Sequence, residues 1–303
     1  MSNANIEELV SKIIPPLSSD YHKGQAGRIG IIGGSKDYTG APYFAAISAL
    51  KVGGDLVHVF CTKDASQVIK AYSPELIVHP ILDSASFSKE FLEHLPHLHS
   101  LVIGPGLGRE TSIFDSIRDV IESAKSKDVP IVFDADALFF LNNAPEVIHS
   151  YKKAILTPNK IEFGRLYKSV TKNMAEEEYS KAEVQLLAEL LGNVTILKKG
   201  SVDIISDGVD TLICNEPGSL RRCGGQGDLL CGSLGTFHYW AHRTSINSVN
   251  SLDSSLNHSM IAAFGACLLT RRCSYLAFQK FGRSSLTTNM ISEIHNAFSG
   301  LFH

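Results

Sequence analysis

Short apolar runs alternate with longer amphipathic stretches from residue 28 to residue 197, and that rhythm leaves few folds open. The runs Arg28–Gly33, Asp55–Cys61, Leu76–His79, Ser100–Ile103, Pro130–Phe133, Ala154–Leu156 and Val194–Leu197 read as strands. Nearly every position in them is apolar, as expected of strands covered on both faces. Residues 5–14, Ala41–Val52, Thr111–Ala124 and Ala175–Leu191 read as helices. Strand–helix alternation implies an α/β fold with a central, mainly parallel sheet and helices on both faces. The pattern then changes. Val202–Ser206 and Thr211–Cys214, separated by Asp207-Gly208, read as a hairpin. Helices follow at Asp228–Trp240, Ser255–Phe278 and Leu286–Phe298, with a Ser/Asn-rich surface insertion at Thr244–Ser254. No internal repeat or linker divides the chain, so residues 1–303 are expected to form a single domain.

Composition narrows the function classes. Apolar residues make up 44% of the chain, enough for a large core. A net charge of −3 argues against nucleic acid or an acidic membrane surface as partner. No apolar run is long enough to span a bilayer, and Met1–Pro16 lacks the pattern of a leader. The six cysteines form no CxxC pair and read as free thiols in a reducing compartment, so a cytoplasmic location is expected.

The strongest chemical signal is Cys223–Gly232, CGGQGDLLCG. Glycines let a backbone bend and present consecutive N–H groups. A helix beginning there adds its positive end, which suits phosphate. Asp228 would stand at the mouth of that helix, able to take a proton from an attacking hydroxyl. The competing reading is that Asp228 only caps the helix. The helix is expected to start near Gly227.

Four other segments follow candidate strands, where α/β sheets collect ligands. Gly104–Arg109, GPGLGR, allows close backbone approach, and Arg109 is a possible phosphate partner or part of a plain turn. Thr157–Arg165, TPNKIEFGR, begins a helix at Asn159 that carries Glu162, Phe163 and Arg165. Lys198–Asp203, KKGSVD, ends a strand in a basic turn. Asp134 and Asp136 either touch magnesium or cap a helix. Earlier still, Lys23 and the glycines of residues 24–40 could line a ligand.

Together and in order, KGQAGRIGIIGGSKDYTGAPYFAA, LVIGPGLGR, VFDADAL, LTPNKIEF, LKKGSVDII and GSLRRCGGQGDLLCG resemble the ATP-dependent NAD(P)H-hydrate dehydratase family, within the ribokinase-like superfamily. They span roughly residues 23 to 235. The resemblance implies an enzyme that uses ATP, with Mg2+, to return the S form of NADH hydrate or NADPH hydrate to the working cofactor, releasing ADP and phosphate. The implied route phosphorylates the ring hydroxyl and then expels phosphate, a far better leaving group than hydroxide. It implies Asp228 as the catalytic residue, also touching the hydrate. ATP would lie against Lys199, Gly200, Ser201, Val202, Asp203, Gly224, Gly225, Gln226, Gly227 and Leu229. The hydrate would lie against Gly108 and the segment Asn159, Lys160, Ile161, Glu162, Phe163, Gly164 and Arg165. A small-molecule kinase of the hydroxymethylpyrimidine or thiazole type shares the GxGD loop and is the alternative, and a catalytically silent nucleotide-binding protein is a third reading. Metal ligands, the preference between the two hydrates, and monomer versus homo-oligomer stay open.

Overall fold

The computed structural model describes residues 3–172, 179–247 and 256–302. Its first half runs α1 (Asn3–Ile13), β1 (Arg28–Ile32), α2 (Gly40–Val52), β2 (Leu56–Phe60), α3 (Lys63–Tyr72), β3 (Ile77–His79), α4 (Phe87–His94), β4 (Ser100–Ile103), α5 (Thr111–Ser126) and β5 (Ile131–Phe133). Next come α6 (Asp136–Leu141), β6 (Ala154–Leu156), α7 (Lys160–Thr171), α8 (Lys181–Leu190), β7 (Thr195–Lys198), β8 (Asp203–Ser206) and β9 (Thr211–Cys214). The chain closes with α9 (Gln226–Asn247), α10 (His258–Phe281), α11 (Thr287–Ser292) and α12 (Ile294–Phe302).

The nine strands form one sheet in the order β3-β2-β1-β4-β5-β6-β7-β8-β9. Neighbours from β3 to β7 are parallel, and β8 and β9 turn back antiparallel. Successive side chains of a strand point to opposite faces. Ile29, Ile31, Val57, Val59, Val102 and Val132 therefore bury against α1, α2, α9, α10 and α12. Ile32, Phe60, Leu101, Ile103, Ile131 and Phe133 face the other way, into a second apolar layer with residues of α4 to α8. The expected strands, hairpin and two-faced sheet are all present.

Three helix expectations need adjustment. The stretch Leu286–Phe298 is two helices, broken at Glu293, whose buried carboxylate is held by Lys280 at 2.7 Å and Asn296 at 2.9 Å. Of the helix expected at Ala175–Leu191, residues 175–178 lie outside the described residues, and α8 covers Lys181–Leu190. The expected insertion at Thr244–Ser254 begins as the last turn of α9, and residues 248–254 lie outside the described residues.

Helix α9 sits unusually close to its neighbours. A Cβ on Gly232 would lie 2.0 Å from the Ala45 carbonyl oxygen of α2, and one on Gly235 would lie 2.7 Å from Val102 Cγ2 of β4. Ordinary side chains there would push the helix outward.

Candidate active site

After β1 the chain goes one way along the sheet to β2, and β4 lies on the other side of β1. Such a switch point opens a crevice at the carboxyl ends of the strands. Two glycine turns meet there. A Cβ on Gly33 would lie 2.1 Å from the Pro105 carbonyl oxygen, and one on Gly104, where φ is +125°, would lie 1.8 Å from that of Asp134. The turns after β1, β4 and β5 are thus in backbone contact, which only glycine permits at these two positions.

Asp134 ends β5 and is 3% exposed. The next residue, Ala135, takes φ 50° and ψ −118°, a conformation that an L side chain rarely adopts. This turn holds the Asp134 carboxylate between Lys199 Nζ and Thr157 Oγ1, each 2.7 Å away. Lys199 leaves β7 with its backbone N–H bonded to the Pro158 carbonyl at 2.8 Å, so the ends of β6 and β7 are tied together. Burial opposes the charge on Lys199. Asp134 and Glu162 outweigh that effect and hold its ammonium above its usual range.

Helix α9 delivers Asp228 to this pair. Oxygen atoms of Asp134 and Asp228 and Cys231 Sγ all lie within 4.8 Å of one another. Burial, then the Asp134 charge, push the Asp228 carboxyl up to about 7, with Lys199 pulling the other way. Cys231 lies one turn further along, and its thiol donates to the Asp228 carbonyl at 3.4 Å. Burial and both carboxylates keep that thiol well above its normal range, so it is protonated. A Cβ on Gly227 would meet Lys199 Nζ at 3.4 Å and Asp134 Oδ2 at 3.7 Å. Gly227 therefore leaves the helix mouth open directly over the ion pair.

Two turns flank that mouth. Asp203 Oδ1 accepts the Gly200 N–H at 3.0 Å, and Arg271 Nε donates to Asp203 Oδ2 at 2.7 Å. Arg271 also donates to the carbonyls of Gly200, at 3.1 Å, and Ser201, at 3.0 Å, and so fixes the whole turn. Opposite, Thr287 Oγ1 donates to the Gly224 carbonyl at 2.6 Å, and Gln226 Nε2 donates to the Arg221 carbonyl at 3.1 Å. Gly225 has φ +91°, and a side chain there would run into Phe44. Gly224 has open space where a side chain would be, and the first N–H groups of a helix have no partner within it. Arg221 Nε, beside this loop, is buried with no described partner.

Helix α7 approaches from the third side. Asn159 Oδ1 accepts the N–H groups of Ile161 and Glu162, each at 3.0 Å, and Glu162 Oε2 accepts the Asn159 N–H at 2.8 Å. Burial raises the Glu162 carboxyl, Lys199 lowers it and Asp134 raises it, which ties the start of α7 electrically to the ion pair. Lys160, Ile161 and Arg165 are exposed. Phe163 is fully buried, with Tyr167 and Tyr179 against its ring, and Gly164 makes room for Tyr179. Those two residues of the expected hydrate segment are packing positions. Gly108 and Arg109 are both anchored on Asp136, at 3.1 Å and 2.9 Å. Lys23 lies elsewhere, at the opposite end of the sheet. Arg271 and Thr287, which fix the turns beside the helix mouth, lie outside every candidate site segment of the sequence.

The comparisons with known proteins fit this arrangement. The family model described as NAD(P)H-hydrate dehydratase matches residues 29–296. This chain belongs to the NAD(P)H-hydrate dehydratase family. It is 53% identical over 298 residues to the ATP-dependent (S)-NAD(P)H-hydrate dehydratase of Rattus norvegicus, covering 98% of this chain and 86% of that one. The Homo sapiens relative of the same name is also 53% identical, with 98% and 85% covered. Among solved structures, the ADP/ATP-dependent NAD(P)H-hydrate dehydratase of Bacillus subtilis, co-crystallized with ATP/Mg2+, superposes with a TM-score of 0.74 at 21% identity, over 97% of each chain. Ribokinase from Giardia lamblia gives 0.58 at 13% identity, over 89% of this chain and 99% of that one. The dehydratase fold of this chain is therefore ribokinase-like. None of its described helices is long and apolar enough to cross a membrane.

Proposed function

We propose that the chain dehydrates the S form of NADH hydrate and NADPH hydrate at the expense of ATP, as one domain working in the cytoplasm. The observation that carries the reading is the placement of Asp228, at the mouth of the glycine-led helix α9, against the Asp134–Lys199 ion pair, where burial and the Asp134 charge push its carboxyl up to about 7. A base is most useful when its pKa lies near the working pH. The six free thiols of the chain suit a reducing compartment.

The ATP phosphates would lie over Gly224–Gly227, where backbone N–H groups and the start of α9 favour negative charge. Lys199, Arg109 and Arg271 are each already paired with a carboxylate. Arg221 and Arg222, beside the loop, hold no carboxylate among the described residues. A divalent ion would relieve the remaining phosphate charge. Asp134, Asp228 and protonated Cys231 do not form the all-oxygen cage that Mg2+ prefers. They fit a Mg2+ held by one or two carboxylate oxygens, with substrate phosphate and water completing its shell.

Asp228 would accept the proton of the hydrate's ring hydroxyl as its oxygen bonds to the γ-phosphorus and ADP leaves. The lone pair of the ring nitrogen then expels phosphate, and loss of a proton from the neighbouring carbon restores the ring double bond. Asp134, fixed by Lys199 and Thr157, keeps Asp228 basic through its charge. Asn159 and Glu162 would bind the hydrate through the start of α7, with Gly108 on the facing loop.

The test is direct. Purified protein, prepared NADH hydrate, ATP and Mg2+ should regain the absorbance of reduced nicotinamide, with one phosphate released per cofactor. If the hydrate stays unchanged while a hydroxymethylpyrimidine or a thiazole alcohol is phosphorylated, the protein is a small-molecule kinase instead.

A further inference from the structure

The end of the sheet opposite Asp228 holds a cavity of about 360 Å³. Its walls come from the segment before β1 (Lys23 and Gly24), the first residue of β1 (Arg28), the residue before β4 (His99), and the far end of α9 (Tyr239 and Arg243). Three of these side chains are cations. Arg28 Nε is buried and pairs with no described acceptor. Arg28 is only partly buried, and together with Lys23 and Arg243 it gives the cavity a positive lining that favours an anion.

The surrounding structure is built, not incidental. Gly24 has φ +100°, and a Cβ on it would lie 2.4 Å from Arg28 Nε, so the loop backbone closes over the guanidinium. Asp55, the nearby acid, accepts the N–H groups of Gly24 at 2.7 Å and Ala26 at 2.9 Å and so fixes that loop. Tyr239 Oη, at 3.1 Å, and Arg243 Nη1, at 2.9 Å, both donate to the Gln25 carbonyl. His99 Nδ1 accepts the Arg28 N–H at 3.3 Å, which places the ring proton on Nε2 as a further donor. Burial and the charges of Arg28 and Arg243 keep this imidazole neutral.

We infer that this cavity binds a small phosphate-bearing anion at a site separate from that of ATP. Donors converge here from the loop before β1, from β1 and from α9, which suits the several oxygens of a phosphate better than the two coplanar oxygens of a carboxylate. The volume is at the small end of ligand pockets, room for a phosphomonoester up to about the size of a mononucleotide. Fifteen residues of α9 separate Arg243 from Asp228, a rise of about 22 Å. One bound molecule of this size cannot reach both places. The inference stands independently of the dehydratase reading.

Inorganic phosphate and AMP are the probes, titrated calorimetrically into the full chain after a non-hydrolysable ATP analogue and Mg2+ have saturated the ATP site. We expect one further equivalent to bind. Lys23→Gln and Arg28→Gln should each weaken it about tenfold or more while leaving hydrate turnover unchanged. Tighter binding of AMP assigns an organic phosphate as occupant, and equal binding assigns phosphate itself; either supports the site. Lys23 is exposed, so Lys23→Gln decides the matter if Arg28→Gln does not fold. No binding to the ATP-saturated protein, or binding unchanged in the variants that fold, overturns the inference.

Discussion

The two ends of the sheet handle charge in opposite ways. At the carboxyl end, Lys199, Arg109 and Arg271 each hold a carboxylate at 2.7–2.9 Å, while among the described residues Arg221 and Arg222 hold none. At the amino end, the acid Asp55 is taken up by backbone N–H groups, and Arg28 is left with an unpaired nitrogen. Internal pairing at the first end fixes positions and leaves two carboxyls, Asp228 and Glu162, with a raised proton affinity. The second end is fixed by its loop, and Lys23, Arg28 and Arg243 form no ion pair there among the described residues. Pairing suits a proton transfer that must be aimed, and open charge suits capture.

Asp228→Asn tests the paired end hardest. The amide keeps the shape and cannot take the proton. Turnover should fall by about a hundredfold to ten-thousandfold with ATP affinity little changed, measured by steady-state kinetics and nucleotide titration. A variant that folds and turns over nearly normally makes Asp228 a helix cap only. In the wild type, turnover should drop as pH falls through about 7, where Asp228 takes up its proton.

Arg271→Ala comes next. It strands the buried Asp203 and frees the Gly200–Asp203 turn. Stability should fall by about 3 kcal/mol in denaturant titrations, and KM for ATP should rise more than KM for the hydrate. Equal changes in both constants mean the turn does not serve ATP in particular.

How much of this was visible beforehand follows from sequence distance. The GxGD loop and the α7 start are contiguous, so their residues could be named from the chain alone. Asp134 is 65 residues from Lys199, and Arg271 is 68 from Asp203. Nothing local marks those pairs. Arg271 reads as one more basic residue on a long helix until the fold brings it to the hairpin. Phe163 shows how a side chain's direction escapes a motif. Its place in TPNKIEF suggests ligand contact, yet the motif's helical period turns its ring into the apolar layer. Strand positions were legible because apolar runs report burial directly, whereas the break at Glu293 depends on a partner on α10.

A third test concerns stability. Asp228 has a raised pKa in the folded chain, about 7, against roughly 3.9 when unfolded. The folded state therefore binds more protons between those values, and stability falls as pH rises through that window. Asp228→Asn removes the penalty. The variant should be more stable than wild type by about 1–2 kcal/mol at pH 8, allowing for solvent at a half-buried carboxyl, and no more stable near pH 4. Equal stability at both values means the carboxyl is not strained.

Asn159→Ala should cost about 1 kcal/mol of stability through the lost cap and weaken hydrate binding while sparing ATP. Equal loss of both affinities merges the two subsites. The smallest effect belongs to the open end. Lys23→Gln should move the melting midpoint of the ligand-free protein by no more than about 0.5 kcal/mol equivalent, since it breaks no pair among the described residues.

The glycine contacts of α9 bear on how this enzyme can be altered. With Gly232 against Ala45 and Gly235 against Val102, the helix packs too closely there to admit any side chain. Asp228 is delivered to one point, whatever the substrate. If Asp228 is the base and the hydrate lies as proposed, retargeting the enzyme to another alcohol means reshaping the Gly104–Arg109 loop and the start of α7 around a base held in place by α9. A library that also randomises α9 would be filled mainly with chains that lose the base's position before they gain a new substrate.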